Sequence, residues 1–401
     1  MIQRLNIAMI SIHSCPLAVL GGRDTGGMNV YVRELAAELA KRGHSVDIYT
    51  KAHQPQHGPP INLGQNVRII HLDTGVDEDM PKLAIYDYIQ RLAGVAENFR
   101  KYNHLQYDLI HSHYWLSGLI GKQLQELWHV PHTVMFHTLG AIKNRFGIGE
   151  SEPDLRLESE REVISSCDRI IASTTGETED LVNLYGASAD KVTVIPCGVN
   201  LDLFQPIDKE TARKELGLDH QKVILFVGRM DPLKGLEQLL AALNYLDGKR
   251  PPLLMIVGGD GQTRGQVQSP QHLKESIVED RVRLVGSVAQ SQLPLYYSAS
   301  DVCVIPSYYE SFGMVALESL ACGTPIVATN VGGIQKIVRN NLMGRVVVDN
   351  SPQNLAGEIS ELVRQKDDKA QAETRRHNVA EFSWSAIADR ILHEYHGLLA
   401  D

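Results

Sequence analysis

The sequence has no long hydrophobic run. No stretch of the 401 residues reaches the roughly 20 consecutive apolar residues that a helix needs to cross a bilayer. The N-terminal residues also lack the long apolar segment and the small-residue cleavage site of a secretory leader, and they predict a first β-strand instead. We therefore expect a protein without a membrane span.

Cysteine and positive charge are also scarce. The formal net charge of −9 argues against nucleic acid as a main partner, because a phosphate backbone requires a concentrated basic surface. The odd number of cysteines and their scattered positions exclude a disulfide framework and a cysteine-based metal site, and favour a reducing, cytoplasmic compartment. No catalytic role is assigned to these five residues: Cys15, Cys167, Cys197, Cys303 and Cys322.

Three cofactor signatures are missing as well. The absence of Gly-x-Gly-x-x-Gly, and of an acid placed to hold an adenosine ribose, argues against a Rossmann dinucleotide site. No Asp-x-Asp pair is evident in a diphosphate-binding position, so no metal is predicted. We find no motif for the Schiff-base lysine of a pyridoxal-dependent phosphorylase.

What is present is an alternation of short apolar runs with amphipathic stretches, which predicts an α/β protein with parallel sheets covered on both faces. A chain of this length exceeds the usual size of one hydrophobic core, so we expect two domains. Pro and Gly interrupt the pattern near residue 200, where we place the boundary. The predicted strands are 5–12, 45–49, 67–71, 109–111, 133–135, 169–172 and 192–195, then 222–227, 253–257, 282–285, 302–305, 325–328 and 344–348.

The segment 306–318 carries two glutamates, Glu310 on a glycine-containing turn and Glu318 on the helix predicted to follow. A plain strand-to-helix connection also fits this spacing. The uncapped N–H groups and the dipole of a helix N-terminus favour an anionic phosphate. We expect Glu310 to hold sugar hydroxyls, Glu318 to hold a ribose diol, and the following backbone to bind the donor phosphates: Ser311, Phe312, Gly313 and Met314.

Cations and glycines follow other predicted strands. Arg229 and Lys234, in Gly-Arg-x4-Lys-Gly, can neutralise the charge that builds on a departing nucleoside diphosphate. The loop 21–29 is rich in glycine and opens a helix predicted near 28–42, so Gly26 and Gly27 can approach a donor closely. A flexible loop without a ligand is the alternative.

Histidines and hydroxyls are found after two further predicted strands, in 111–115 and 136–144. The carboxyl ends of parallel strands are the edge at which open α/β sheets bind ligands. A single histidine there is more often structural, but a cluster of His, Tyr, Thr and Lys favours a functional site. The predicted site residues in these segments are Tyr114, His137, Thr138 and Lys143.

Together these segments resemble retaining glycosyltransferases of the GT-B fold, whose Glu-x7-Glu motif is similar to residues 310–318. The resemblance spans nearly the whole chain. Asp24-Thr25-Gly26-Gly27 resembles the loop of sucrose-phosphate synthases, and residues 26–31 are similar to the inositol-phosphate N-acetylglucosaminyltransferases of mycothiol synthesis. The loops 257–261 and 284–288 resemble those that hold the diphosphate and uracil, which makes Gly259 and Val288 donor-binding candidates.

The resemblance implies two facing Rossmann-like domains with the site between them. Residues 1–200 would bind the acceptor, residues 201–383 the nucleotide sugar, and a C-terminal helix, 384–401, would cross back to the first domain. His137 would contact the transferred sugar, while Arg229, Lys234 and Glu310 complete the catalytic set. Acceptor contacts are implied for Asn29, Lys82, Tyr114, Thr138, Lys143 and Arg156.

The predicted activity is a retaining hexosyl transfer from a UDP-sugar, with no other cofactor required. The acceptor hydroxyl would attack from the face that the diphosphate leaves. The preferred reaction is the synthesis of sucrose 6-phosphate from UDP-glucose and fructose 6-phosphate, although Met28 stands where those enzymes usually carry Gln. Transfer from UDP-N-acetylglucosamine to inositol phosphate is the alternative, and a noncatalytic sugar-nucleotide-binding module is a third.

Overall fold

A computed structural model describes residues 4–18, 25–52, 58–73, 75, 80–148, 151–246, 251–259, 281–365 and 368–400. The chain divides into two compact units. The first comprises the described residues of Met1–Ala18, Gly27–Pro196 and Trp384–Asp401, and the second those of Val19–Gly26 and Cys197–Ser383. Thr25 and Gly26 are therefore grouped with the second unit, whereas the sequence analysis placed them in the first domain.

The first unit contains an eight-stranded sheet in the order β3-β4-β2-β1-β5-β6-β7-β8. All neighbouring strands run parallel except β3, which pairs antiparallel with β4. The strands are β1 Asn6–Ile10, β2 Ser45–Lys51, β3 Ile61–Gly64, β4 Val67–Leu72, β5 Leu109–His113, β6 His132–Met135, β7 Arg169–Ala172 and β8 Val192–Val194.

Strand β3 is missing from the sequence prediction. It lies at the edge of the sheet, and most of its residues are exposed. An edge strand without a buried face produces no apolar alternation, so its sequence carries no strand signal. The other predicted strands of this unit are confirmed, with ends that differ by one or two residues.

Helices connect the parallel strands of the first unit, as right-handed crossovers require. The predicted helix near 28–42 is α1, and Gly43 follows its last turn with a φ of 91°. The helices are α1 Gly27–Lys41, α2 Ile89–Tyr102, α3 Trp115–Trp128, α4 Gly140–Phe146, α5 Asp154–Ser166 and α6 Thr175–Tyr185, with 3₁₀ turns at Lys82–Tyr88 and Ala189–Lys191.

The second unit contains a six-stranded sheet in the order β11-β10-β9-β12-β13-β14, parallel throughout. Its strands are β9 Val223–Val227, β10 Leu253–Val257, β11 Val282–Gly286, β12 Val302–Ile305, β13 Ile326–Thr329 and β14 Gly344–Val347. Four of these strands, β9, β10, β12 and β13, are largely buried, as the continuous apolar runs in the sequence predicted, whereas the edge strands β11 and β14 are partly exposed.

Short helices cover this second sheet. They are α7 Lys209–Glu215, α8 Leu236–Ala242, α9 Leu293–Ala299, α10 Met314–Ala321, α11 Ile334–Ile337, α12 Pro352–Arg364 and α13 Lys369–Asn378, with 3₁₀ turns at Pro232–Lys234, Leu243–Tyr245, Gln290–Gln292 and Ala380–Phe382. Among all helices in the described part of the chain, none combines the length and the apolar character needed to span a lipid bilayer.

The last helix, α14 Trp384–Ala400, belongs to the first unit, which confirms the predicted return of the chain. Arg42, just after α1, holds the start of α14, since its Nε donates to Asp389 Oδ1 at 2.7 Å and its Nη2 donates to the carbonyl oxygen of Ser385 at 2.8 Å. Tyr395 on the same helix is fully buried and is hydrogen-bonded to Nδ1 of His111 in β5 at 2.6 Å. The C-terminal helix is thus part of the core of the first unit.

Both sheets reverse strand order at their centre. In the first unit the chain proceeds outward from β1 through β2, and then outward from β5 on the other side of β1. In the second unit β9 stands in the same way between β10 and β12. At such a switch point the adjoining loops run in opposite directions, and a crevice forms between them at the carboxyl ends of the strands. Each unit therefore offers one ligand-binding edge.

Helix α3 lies close against β5 and β6 because residue 121 has no side chain. A Cβ at Gly121 would lie 2.2 Å from Ser112 Oγ and 2.3 Å from His132 Nε2. Those two atoms are themselves hydrogen-bonded at 2.8 Å and fully buried, so neither has room to withdraw.

We expect Gly121→Ala to lower the free energy of unfolding by about 2 kcal/mol or more, because the added methyl overfills a packed interior. Urea denaturation measures the change. The matched control is Gly94→Ala in α2, an exposed position where a Cβ meets nothing within 4 Å. Alanine there should leave stability unchanged or raise it by up to about 1 kcal/mol through helix propensity. Equal effects of the two substitutions would contradict this packing argument.

Candidate active site

Two residues with unusual backbone conformations follow β5 and β6 in the first unit. Tyr114 has φ 78° and ψ 158°, a backbone conformation that residues other than glycine rarely adopt. His137 has φ 61°, and the N–H of Thr138 donates to the carbonyl oxygen of Phe136 at 2.7 Å across it, which forms a tight γ-turn. Backbone strain of this kind concentrates at functional sites. Both residues were predicted to belong to the site.

The ring of His137 is hydrogen-bonded to a second histidine that the sequence analysis did not select. His113 Nδ1 lies 3.1 Å from His137 Nε2, and His113 is fully buried. Burial lowers the pKa of His137 to about 3, and burial together with neighbouring histidines lowers the pKa of His113 well below its usual value. Both rings are therefore neutral near pH 7, and His137 is suited to hydrogen bonding rather than to proton transfer.

The ring of Tyr114 brings two predicted acceptor cations together. The guanidinium carbon of Arg156 lies 4.9 Å from the ring centroid, and Lys82 Nζ lies 5.6 Å from it. Both distances allow cation–π attraction. Neither cation has a local motif, so the tertiary structure supplies the signal that their sequence context lacks.

Arg156 is held in a fixed orientation inside the first unit. It is 0 % exposed, its Nε donates to Glu160 Oε1 at 2.8 Å, and its Nη2 donates to the carbonyl oxygen of Thr138 at 2.8 Å. Glu160 is equally buried and also accepts from the N–H of Gly140 at 3.0 Å and from the hydroxyl of Tyr185. The carboxylate of Glu160 thus links α4, α5 and α6 around the guanidinium.

A second carboxylate contacts the same guanidinium from the other side. Glu152 Oε1 lies 2.7 Å from Arg156 Nη1 and also pairs with Lys143 Nζ. Burial alone would raise the pKa of Glu152, but Arg156 and Lys143 more than offset this, so the pKa is lowered. The sequence analysis missed Glu152 and Glu160, although their i, i+4 spacing on either side of Arg156 was visible.

Asn29 lies in the first turn of α1 and is fully buried. Its Nδ2 donates to Ser14 Oγ at 2.7 Å and to the carbonyl oxygen of Cys15 at 2.7 Å. These bonds hold the loop after β1 to the helix. Gly27 is the first residue of α1, Gly26 precedes it, and the predicted loop residues 21–24 lie outside the described part of the chain.

In the second unit, three of the predicted donor-side residues lie in the segments that follow the strands next to the switch point. Arg229 follows β9, and its Nη2 lies 3.4 Å from Asp231 Oδ2. Lys234 ends a 3₁₀ turn, and its Nζ donates to Glu310 Oε1 at 2.8 Å. Glu310, after β12, also accepts from Ser307 Oγ at 2.7 Å. Two residues with separately predicted roles therefore form an ion pair.

The predicted phosphate-binding helix start is formed by α10. Gly313 precedes the helix with φ 109°, and an added Cβ would lie 3.0 Å from Ile334 Cδ1, so both conformation and space require glycine. The side chain of Phe312 is buried beside Phe382, which leaves its backbone for any ligand contact. Ser311 lies between Glu310 and Phe312, and Met314 is the first helical residue.

Glu318 lies one helical turn further on and is 7 % exposed. The hydroxyl of Tyr297 in α9 donates to its Oε2 at 2.8 Å. Tyr297 is fully buried, and it orients this carboxylate. No motif pointed to Tyr297, because α9 and α10 become neighbours only when the sheet forms.

The loops after β9, β10 and β11 meet closely. A Cβ at Gly258 would lie 1.8 Å from the carbonyl oxygen of Gly228, and the φ of Gly258 is 133°. The hydroxyl of Ser287 is hydrogen-bonded to the carbonyl oxygen of Gly259, and Val288 follows Ser287. The predicted Asp260 and Gly261 lie outside the described residues. Within the described ranges, no three or more His, Cys, Asp or Glu side chains are grouped as metal ligands.

Comparison with known families covers both units. Residues 25–203 match the family described as Glycosyltransferase Family 4, and residues 208–379 match the family described as Glycosyl transferases group 1.

Curated relatives match the chain almost end to end. The D-inositol 3-phosphate glycosyltransferase of Thermobispora bispora is 38% identical, with 98% of this chain and 95% of that protein covered. The protein of the same name from Corynebacterium glutamicum is 35% identical, with 99% and 98% covered.

Solved structures show the same architecture. Sucrose-phosphate synthase from Thermosynechococcus elongatus is 33% identical with a TM-score of 0.87, over 99% of this chain and 100% of that one. Anabaena HepE in complex with UDP-glucose is 19% identical with a TM-score of 0.73, over 98% and 100%, and supports the fold alone. The predicted GT-B fold is confirmed.

We expect stability to fall in acid because the first unit buries neutral histidines. Burial lowers the pKa of His111, His132 and His137 to about 3, from 6.5. Below pH 6.5 the unfolded chain binds protons that the folded chain excludes, so stability is fully present above that pH and is lost as the pH falls toward 3. Each histidine contributes up to about 1.4 kcal/mol per pH unit.

Urea denaturation between pH 7.5 and pH 5.0 measures this slope. His132→Gln should reduce it by about one proton. The control is His104→Asn, an exposed site in the same unit whose φ of 52° asparagine tolerates, and it should leave the slope unchanged. A slope that His132→Gln does not alter would refute the assignment.

Proposed function

We propose that this chain, which belongs to the group 1 glycosyltransferases of the GT-B fold, transfers a hexosyl group from a UDP-sugar to a phosphorylated polyol with retention of configuration. The observation that carries this proposal is the cluster formed by Lys82, Tyr114, Thr138, Lys143 and Arg156 in the first unit. Three cations and two hydroxyls in one cluster suit a phosphate, whose oxygens accept charge-assisted hydrogen bonds.

Inositol phosphate is the favoured acceptor. The curated relatives carry that acceptor in their name and align over almost the whole chain. This reverses the preference for fructose 6-phosphate that was stated in the sequence analysis. Because the cation cluster suits the phosphate of either acceptor, we rank inositol phosphate first on the similarity to the curated relatives.

Fructose 6-phosphate remains the second candidate. The solved sucrose-phosphate synthase matches this chain over almost its full length, at an identity close to that of the curated relatives. Both candidates share the chemistry of a phosphorylated, hydroxyl-rich acceptor, and they differ in the ring that the first unit must accommodate.

The second unit is proposed to bind the nucleotide. Glu318, oriented by Tyr297, accepts hydrogen bonds from the ribose diol, and the N–H groups at the start of α10 bind phosphate. Arg229 and Lys234 stabilise the negative charge that builds on the diphosphate as the glycosidic bond breaks. Gly259 and Val288 approach the diphosphate and the base through their backbones.

In the proposed donor site, Lys234 and Glu310 are paired with each other. When a diphosphate binds, Lys234 exchanges part of its interaction with Glu310 for a phosphate oxygen. Glu310 then accepts hydrogen bonds from sugar hydroxyls, and Ser307 continues to hold its Oε1. Each charged group keeps a partner, so neither is left desolvated and alone.

The transfer is proposed to proceed on one face of the sugar. The acceptor hydroxyl attacks the anomeric carbon from the side on which the diphosphate departs, and a diphosphate oxygen takes the proton. His137 is neutral and contributes a hydrogen bond to the sugar rather than a proton. A noncatalytic module with the same residues would bind UDP but would not release it from a UDP-sugar.

We expect Arg229→Ala and Lys234→Ala each to lower kcat at least tenfold, about 1.4 kcal/mol of barrier, because each removes positive charge from the leaving group. UDP release measures turnover. The control is Lys214→Ala, an exposed lysine in α7 of the same unit, which should keep wild-type activity. Losses below tenfold for both site variants would contradict their role.

We expect D-inositol 3-phosphate to accelerate UDP release more than fructose 6-phosphate, and both more than unphosphorylated inositol and fructose. The panel crosses these four acceptors with UDP-glucose and UDP-N-acetylglucosamine. Faster release with the unphosphorylated forms would remove the phosphate requirement. UDP binding without accelerated release for any pair would support the noncatalytic module.

A further inference from the structure

Glu152 occupies an anion position within the acceptor cluster. One oxygen, Oε1, contacts both Lys143 Nζ and Arg156 Nη1. A phosphate oxygen bound to the same two cations would take this place. No sequence motif marks Glu152, and it does not belong to the predicted set of acceptor residues.

The other donors of Arg156 are already committed. Its Nε donates to Glu160, and its Nη2 donates to the carbonyl oxygen and hydroxyl of Thr138 at 2.8 and 3.2 Å. Since the side chain is 1% exposed, water cannot replace a lost partner. An incoming anion that binds both Lys143 Nζ and Arg156 Nη1 therefore competes with Glu152 Oε1 for the same two cations.

The two glutamates beside Arg156 differ in how firmly they are held. Glu160 is 0% exposed and accepts from Arg156, Gly140 and Tyr185, so its withdrawal would leave several buried donors unpaired. The carboxylate of Glu152 is 10% exposed, and it pairs with the two cations Lys143 and Arg156. Glu160 positions the guanidinium, whereas Glu152 can be exchanged for another anion.

The backbone near Glu152 remains fixed without its carboxylate. Its N–H donates to Asn144 Oδ1 at 2.7 Å, and Asn144 Nδ2 donates to its carbonyl oxygen at 2.9 Å. A change confined to the carboxylate therefore leaves the segment attached to α4. The pKa of Glu152 is lowered by its two cations, so the carboxylate stays ionised through the neutral range.

We propose that Glu152 is a specificity-determining residue that acts as an internal anion, pairs with Lys143 and Arg156 in the absence of acceptor, and is displaced by the acceptor phosphate. Its competition raises the acceptor concentration required for binding and disfavours acceptors that lack a phosphate, because only a strong anion compensates the cations for the lost carboxylate. The inference rests on the proposed phosphorylated acceptor.

The test compares wild-type protein with Glu152→Gln, which preserves shape and removes one charge. Calorimetry with inorganic phosphate as the probe should show about tenfold tighter binding by the variant. In the transferase assay, KM for the phosphorylated acceptor should fall to a similar extent, with KM for the UDP-sugar unchanged. Glu152→Asp retains the charge and should resemble wild type.

Two further variants separate charge at the site from charge elsewhere. Glu158→Gln, at an exposed position of α5, makes the same change of net charge and should alter neither measurement. Glu160→Gln removes the group that orients Arg156 and should weaken phosphate binding. Tighter phosphate binding in Glu152→Gln and weaker binding in Glu160→Gln would show that Glu152 is displaced by the anion and that Glu160 positions Arg156.

The inference is overturned if Glu152→Gln weakens phosphate binding or leaves it unchanged, since Glu152 would then orient the cations or have no effect. It is also overturned if neither protein binds phosphate. Failure of the proposed function has a different signature, because no phosphorylated acceptor would then accelerate UDP release while phosphate binding could still tighten in Glu152→Gln.

Discussion

Parallel strand pairing is the constraint on which the candidate site residues of each unit depend. In a parallel sheet all strands present their carboxyl ends at one edge, and at a switch point the adjoining loops diverge. His113 and His137 follow neighbouring strands of the first sheet, and Arg229 and Glu310 follow neighbouring strands of the second. Residues far apart in sequence become neighbours for this topological reason.

Close packing determines how near the functional segments approach one another. Gly258 allows its loop to contact the carbonyl oxygen of Gly228, and Gly313 allows the start of α10 to lie against Ile334. On the first unit, Gly140 brings α4 against the side chain of Arg156. A Cβ at Gly258 would clash with backbone, and at Gly140 or Gly313 it would press on neighbouring side chains, so each glycine permits a close approach.

Charge pairing is a common property of the two units. Lys234 is paired with Glu310 in the second, and Lys143 and Arg156 share Glu152 in the first. A buried or partly buried cation without a partner is costly. This explains why carboxylates accompany the cations that the sequence analysis selected, in a protein whose net charge is negative.

The sequence by itself determined the α/β class and the strands other than β3, and its motifs selected candidate residues in the second unit, while the resemblance to a known fold predicted the returning C-terminal helix. Apolar periodicity and the glycine spacing of loops are local properties, so they can be recognised before the chain folds. Only the tertiary structure decided that Arg156 and Lys82 share the ring of Tyr114, that His113 holds His137, that Tyr297 orients Glu318, and that Glu152 lies between two cations. These contacts join residues on different elements, and their energies depend on burial and on distances of a few ångströms, which no local pattern encodes.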